Sequence, residues 1–183
     1  MTTGTIELNE NDVLCEVLTE REGMLSAVGH DLRIRARHAK WKVDTARGSL
    51  EGVIDAASLH VVNARIGEED QPMALSAYDR ERIDHSMHEE VLDTPRHHEV
   101  HVRATFRRDG DGLAVDGSVK LHGVERPFHA VARRDGEHWV ASYRLDQTAF
   151  GLKPFSAMMG TLKVRRDVTV RVRVRAAAVP LEG

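Results

Sequence analysis

Strict alternation of apolar and polar residues is the feature that most constrains this chain. The segment DVTVRVRVRA, residues 167–176, alternates without a break. Because successive side chains of a strand point to opposite faces, a period of two predicts a strand with one dry and one wet face. The dry face would carry Val168, Val170, Val172 and Val174, and the wet face would carry Thr169, Arg171, Arg173 and Arg175. The segment DLRIRARH, residues 31–38, repeats the pattern, with Leu32, Ile34 and Ala36 opposite Arg33, Arg35 and Arg37.

Turn residues order the second half of the chain. Asp-Gly pairs follow residues 101–108 and 128–134, and His122-Gly123 lies between them. Such pairs supply the positive φ angles that tight hairpins need. Residues 99–146 are therefore predicted to form four antiparallel strands joined by three short connections. Within VKLHGVERPFHA, residues 119–130, this assigns His122 to a corner, and neither Glu125 nor His129 needs a chemical role.

One segment breaks the alternation. Residues 76–93, SAYDRERIDHSMHEEVLD, place Ile83, Met87 and Val91 four apart, which is typical of a helix with one narrow apolar stripe. Ser76 followed by Asp79 resembles a capping box. Thr94-Pro95 would end the helix, since the residue before proline avoids helical angles. We therefore expect one surface helix over about residues 77–92.

The fold class follows from about ten short strands and one helix. Many strands with one dry face favour an antiparallel β-barrel of about eight to ten strands, because closure removes exposed sheet edges. A barrel of this size can hold one small ligand. At 183 residues the chain is expected to be a single domain, 1–183, with its core at about residues 5–176.

Composition excludes several function classes. There are 26 basic and 29 acidic residues, a balance that argues against nucleic-acid binding. Cys15 is the only cysteine, so neither an intrachain disulfide nor a cysteine-based zinc site is expected. No run approaches the ~18 apolar residues of a membrane span, so stable membrane insertion is not expected. The start, MTTGTIELNENDV, lacks the basic and apolar regions of a signal peptide, and we expect a cytoplasmic protein.

Taken in order, several motifs resemble the YceI-like family of lipocalin-like β-barrels. They are VGHDLRI followed by Trp41, then EEVLDTPRHHEV, VDGSVKLHGVERPF and LDQTAFGLKPFSAMMGTLKV. The resemblance covers about residues 5–176. It implies an apolar central channel that binds an isoprenoid or other long-chain lipid, with no catalytic residues and no cofactor other than that lipid. The resemblance leaves open whether the protein forms a homodimer. The GHDL form is similar to a cytoplasmic-type branch, whose ligand need not equal that of periplasmic relatives.

The dry faces and the resemblance together give twelve candidate lining residues. They are Leu32, Ile34, Trp41, Val43, Phe106, Val119, Leu121, Phe128, Phe150, Phe155, Met158 and Met159. For FGLKPFSAMMG, residues 150–160, two interpretations remain equally open. Methionine suits a surface that must fit a flexible lipid, and it also suits an ordinary core plug.

Two other function classes compete with lipid binding. The first is a stress-response or interaction module with a filled barrel, which would work through the helix and the arginine stripe of residues 165–175. The second is a metal protein or metal-dependent enzyme built on His85, His88, His97, His98 and His101. The metal hypothesis is the weaker, because no metal-ligand spacing signature is present. Gly29-His30-Asp31 is interpreted as a turn rather than a catalytic dyad, since consecutive strand residues point apart.

Overall fold

The computed structural model describes residues 4–24 and 29–181. These residues form fifteen strands and one α-helix, α1, at Ala77–Ser86, which continues as a π-helical turn over Met87–Val91. The strands are β1 Thr5–Leu8, β2 Val13–Leu18, β3 Arg21–Glu22, β4 Asp31–Ala36, β5 Ala39–Asp44, β6 Ser49–Asp55, β7 Leu59–Ile66, β8 Glu69–Gln71, β9 Glu99–Asp109, β10 Gly112–Leu121, β11 Val124–Asp135, β12 His138–Asp146, β13 Ser156–Ala157, β14 Leu162–Val164 and β15 Asp167–Arg175.

Twelve of the strands form one strongly curled antiparallel sheet, a half-barrel. Their order is β1-β5-β6-β9-β10-β11-β12-β15-β2-β4-β7-β8, and β13-β14-β3 form a separate small sheet. The predicted antiparallel all-β fold with one helix is therefore confirmed. The predicted eight to ten strands were too few, because short strands such as β3, β8, β13 and β14 show no readable alternation.

The predicted four-stranded meander is present as β9 to β12. The β10–β11 hairpin has Leu121 opposite Val124, which leaves a two-residue turn of His122 and Gly123. Both turn residues have positive φ angles, 52° and 77°, as the tight turns favoured in hairpins require. His122 is thus a corner residue, and its ring lies 4.1 Å from that of His97, centroid to centroid.

Helix α1 begins with the predicted capping box. The Ser76 hydroxyl accepts a hydrogen bond from the Asp79 backbone N–H at 3.1 Å, and the Asp79 carboxylate accepts one from the Ser76 N–H at 3.0 Å. Asp84 attaches the helix to β7, because its carboxylate accepts a hydrogen bond from the Val61 N–H at 2.7 Å. Ile83 and Met87 pack against the sheet beneath. The helical segment therefore covers part of the concave face.

The outer face of β2 and β4 differs from the wet face predicted for it. Arg33 is buried, and its guanidinium contacts the Glu16 carboxylate at 3.1 Å and the Asp70 carboxylate at 2.7 Å. Arg35 contacts Glu16 at 2.9 Å. The alternation is correct, but the prediction that Arg33 is solvated was wrong. The β7–β8 connection folds back over this face, and its Glu68 carbonyl accepts a hydrogen bond from Arg33.

Removal of the Asp84 carboxylate should loosen the helix from the sheet. Asp84→Ala leaves the half-buried Val61 N–H without its acceptor, and we expect a loss of about 1–3 kcal/mol in the free energy of unfolding. Urea denaturation followed by circular dichroism measures this. Asp84→Asn keeps an acceptor oxygen and is expected to lose less. Equal losses in the two variants would show that this hydrogen bond does not attach the helix.

Candidate functional site

The concave face of the sheet encloses a cavity of about 790 Å³. This volume lies within the roughly 300–1,000 Å³ typical of small-molecule sites. Inward-facing residues of the strands supply its walls, and the β15 valines Val168, Val170, Val172 and Val174 all contribute. Ile83, Met87 and Val91, the predicted stripe of the helical segment, line it from one side. The lining is apolar almost throughout, as the alternation of each strand requires.

Nine of the twelve candidate lining residues lie in the cavity wall. Each comes from the inner face of a strand, except Phe155, which precedes β13. The nine are Leu32, Ile34, Trp41, Val43, Phe106, Val119, Leu121, Phe128 and Phe155. Their contact with a ligand stays a prediction.

The other three candidates lie outside the cavity wall. Phe150 is fully buried in a cluster with Leu145 and Leu152, so it acts as core. Met158 and Met159 are exposed and lie in the turn between β13 and β14, where both take positive φ angles, 51° and 56°. The segment FGLKPFSAMMG thus splits into a core residue, a cavity residue and an exposed tip.

Sequence reasoning missed much of the wall. The same alternation that identified β4 and β15 could have found these residues, since each faces inward from a strand. They include Val17, Leu50, Ile54, Val100, Val102, Trp139, Ala141 and Tyr143. The contribution of Val179 and Leu181, which follow the last strand, had no such signal.

Charged lining residues gather at one end of the cavity. Within the described part of the chain they number five: Arg21, His30, Asp79, Arg82 and Lys163. Three of them, His30, Arg82 and Lys163, are also exposed to solvent, so the cavity reaches the surface between them. We call this opening, lined by the five residues, the mouth. Exposed Ser142 on β12 also lines the cavity.

Hydrogen bonds fix the shape of the mouth. The Asp31 carboxylate accepts from the Arg21 N–H at 2.8 Å, and the Arg21 guanidinium donates to the Gly29 carbonyl at 2.6 Å. Gly29-His30-Asp31 therefore stabilises a turn at the entrance of β4. Hydrogen bonds from Ser76 are the main reason that the pKa of Asp79 is lowered, and the charges of Arg82 and His30 lower it further.

The two competing surface features have ordinary structural explanations. In the arginine stripe, Arg171 contacts Glu68 at 2.8 Å, Arg165 contacts Glu20 at 2.9 Å, and Arg166 pairs with Asp146. The stripe is therefore largely neutralised on the outer face. Among residues 4–24 and 29–181, no group of three His, Cys, Asp or Glu side chains is placed to hold a metal ion.

Cys15 on β2 lines the cavity and is buried. Burial raises the pKa of its thiol from 9.0 to about 12, and the neighbouring Glu16 charge adds to the rise. Since the thiolate is the nucleophile, this cysteine behaves as a small apolar wall residue.

The fold and the cavity together define a class of protein. A curled antiparallel sheet around an apolar cavity with one charged mouth is the architecture of a protein that binds apolar ligands. The family description "YceI-like domain" matches residues 18–176, and the chain belongs to the YceI-like family. No curated protein matches the chain.

Solved structures support the same fold. BcnA from Burkholderia cenocepacia superposes with a TM-score of 0.59 at 11% identity, covering 88% of this chain and 94% of that one. The YceI protein of Campylobacter jejuni gives 0.54 at 11% identity, covering 78% and 82%. A mutant CJ YceI protein with a monobromobimane guest gives 0.54 at 12%, with the same coverage. At these identities the likeness shows the fold alone.

A glycine on β6 makes room for the largest side chain of the wall. A Cβ added to Gly52 would collide with the six-membered ring of Trp41 on the neighbouring strand. We expect Gly52→Ala to push Trp41 out of position and to cost about 1–3 kcal/mol of folding free energy. Urea unfolding and the tryptophan emission maximum measure both effects. The control is Gly4→Ala, where nothing lies within 4 Å of the added atom. If the two variants are equally stable, Gly52 is not required for this packing.

Thiol labelling reports on the burial of Cys15. With a pKa of about 12, roughly one molecule in ten thousand carries the thiolate at pH 8, against about one in ten for an ordinary thiol. Iodoacetamide should therefore modify the folded protein at least about a hundredfold more slowly than the urea-unfolded protein. The folded rate should keep rising with pH beyond 10. A folded rate that levels off near pH 9 would contradict the assignment.

Proposed function

We propose that this protein binds an isoprenoid or another long-chain apolar lipid inside the half-barrel and carries or stores it without chemical change. The observation that carries the proposal is the continuous apolar cavity of about 790 Å³. Membership of the YceI-like family supports the same class of ligand. The proposed activity is binding, not catalysis.

The energetics favour a hydrocarbon ligand. Each methylene transferred from water to an apolar environment contributes about 0.8 kcal/mol, so a chain of several carbons offsets the cost of immobilising the ligand. The walls supply aliphatic side chains and few hydrogen-bonding groups. A ligand made mainly of hydrocarbon matches this lining.

The competing functions have less support. A filled barrel acting as an interaction module would need side chains to occupy the interior, and the interior holds a cavity instead. The arginine stripe that such a module would use is paired with carboxylates on the outer face. The histidines proposed as metal ligands are not gathered into a cluster of three among the described residues.

Native mass spectrometry tests the proposal directly. Purified protein should show a mass increment that organic solvent extracts as a lipid, or should bind an added isoprenoid such as farnesol or a longer prenol. We expect a one-to-one complex. Protein that carries no lipid and does not respond to added prenols of several lengths would contradict the proposal.

A variant that fills part of the cavity should weaken binding while the sheet still folds. Ala130 is buried on β11 and faces the cavity. We expect Ala130→Trp to weaken prenol binding at least tenfold, because the indole occupies the space of the ligand. Titration followed by native mass spectrometry measures the affinity. Thr105→Trp, at an exposed position on the outer face of β9, is the matched control and should bind like the native protein. Unchanged binding by Ala130→Trp would place the ligand elsewhere.

A further inference from the structure

The large hydrophobic side chains that remain exposed are not scattered over the surface. In the described residues there are six, with exposed fractions between 60% and 98%. They are Met24, Ile66, Met73, Tyr78, Met158 and Met159. Single exposed apolar residues are ordinary, but a contiguous group marks an interaction site. Their positions in the fold therefore decide whether they form a site.

Three of the six lie on the small sheet beside the mouth. Strand β3 pairs with β14, with Glu22 opposite Lys163, which lines the mouth. Met24 follows this strand, and the preceding Gly23 packs against the Thr161 carbonyl. Met158 and Met159 form the turn between β13 and β14, where the Thr161 hydroxyl donates to the Met158 carbonyl at 2.6 Å. These methionines thus sit on adjacent turns of one small sheet.

The other three belong to segments that adjoin lining residues. Arg65 on β7 pairs with Asp31, the residue after His30, and Ile66 is the next residue of β7. Met73 directly precedes Ala74 and Leu75, both of which line the cavity. Tyr78 is in the first turn of α1, beside Asp79. All six exposed residues therefore belong to segments that border the same opening, and these segments are far apart in the sequence.

The chemistry of these residues suits a lipid surface. Methionine is flexible and adapts to irregular apolar surroundings. Tyrosine places an apolar ring and a polar hydroxyl at the level of lipid head groups. The Arg82 guanidinium lies 5.8 Å from the centre of the Tyr78 ring, so a cation and an aromatic ring face the same region. Three of the five residues of the mouth, Arg21, Arg82 and Lys163, are Lys or Arg, against the single carboxylate of Asp79, and this excess of positive charge complements anionic phospholipid.

We infer that the rim formed by Met24, Ile66, Met73, Tyr78, Met158 and Met159 docks reversibly on the surface of a phospholipid bilayer, with the mouth facing the membrane. The inference rests on the proposed lipid binding and adds the route by which a water-insoluble ligand enters and leaves. The docking is peripheral. In the described ranges, no helix has the length and apolar character needed to cross a membrane.

Vesicle co-sedimentation with the full chain tests the docking. The probes are vesicles of phosphatidylcholine alone and of phosphatidylcholine with phosphatidylglycerol at about 7:3. We expect the native protein to sediment with both and more strongly with the anionic mixture. The double variant Met24→Ser/Met73→Ser should bind at least about tenfold more weakly, since two membrane-contacting side chains become polar. Both residues are almost fully exposed and outside the cavity wall, so stability and prenol binding in solution should not change.

The matched control is Ala46→Met, which adds an exposed methionine on the β5–β6 turn away from the rim, and it should bind vesicles like the native protein. Native protein that stays in the supernatant, or a double variant that binds as well as the native protein, overturns the inference. So does a double variant that dissociates a dimer in analytical ultracentrifugation without any vesicle binding, because the rim would then cover a second copy. Prenol binding in solution, measured on the same variants, reports on the proposed function separately. If the protein binds vesicles but does not bind prenol in solution, the docking is supported and the lipid-carrier role is contradicted.

Discussion

The cavity exists because small side chains line a widely curled sheet. Valine, alanine and leucine supply most of its wall, and six of the chain's eight aromatic residues also line it without filling it. Protein interiors normally reach the density of organic crystals, and voids are expensive when they remain empty. The side chains of this wall do not fill the space inside the half-barrel. An apolar ligand that fills the space would recover the missing dispersion contacts, so the same shortage of bulk that costs stability supports binding.

The outer face stabilises the curvature by a different means. Glu16 is buried between Arg33 and Arg35, and Arg33 also contacts Asp70. These contacts join β2, β4 and β8. The contact between Arg171 and Glu68 joins β15 to the connection between β7 and β8. Removing one member of such a group leaves an uncompensated buried charge. The apolar side of the sheet can therefore remain underfilled because charged contacts on the opposite side hold neighbouring strands together.

Much of this was predictable from the alternation, and the exceptions have physical causes. Leu32 and Ile34 face the cavity because a strand fixes which side chains share a face. Alternation cannot show what covers the other face, so Arg33 was predicted to be solvated. It also carries no information in two-residue strands. Met158 and Met159 were predicted to line the cavity from their apolar character, but they lie in a left-handed turn and are exposed. The YceI-like resemblance is confirmed, whereas the ligand depends on chemistry that the motifs do not specify.

The residues at the two ends of the cavity are packed to different degrees. Away from the mouth, Val179 is buried against a core cluster with Trp41 and Leu8. At the mouth, every residue of α1 is exposed or half-buried. The helix is stabilised by its capping box and is attached to β7 by the hydrogen bond from the Val61 N–H to the Asp84 carboxylate. Segments with few buried apolar contacts open at lower free energy than a packed core. Local opening at the mouth is therefore expected to cost less free energy than opening at the packed end, and the segments that carry the exposed methionines border the mouth.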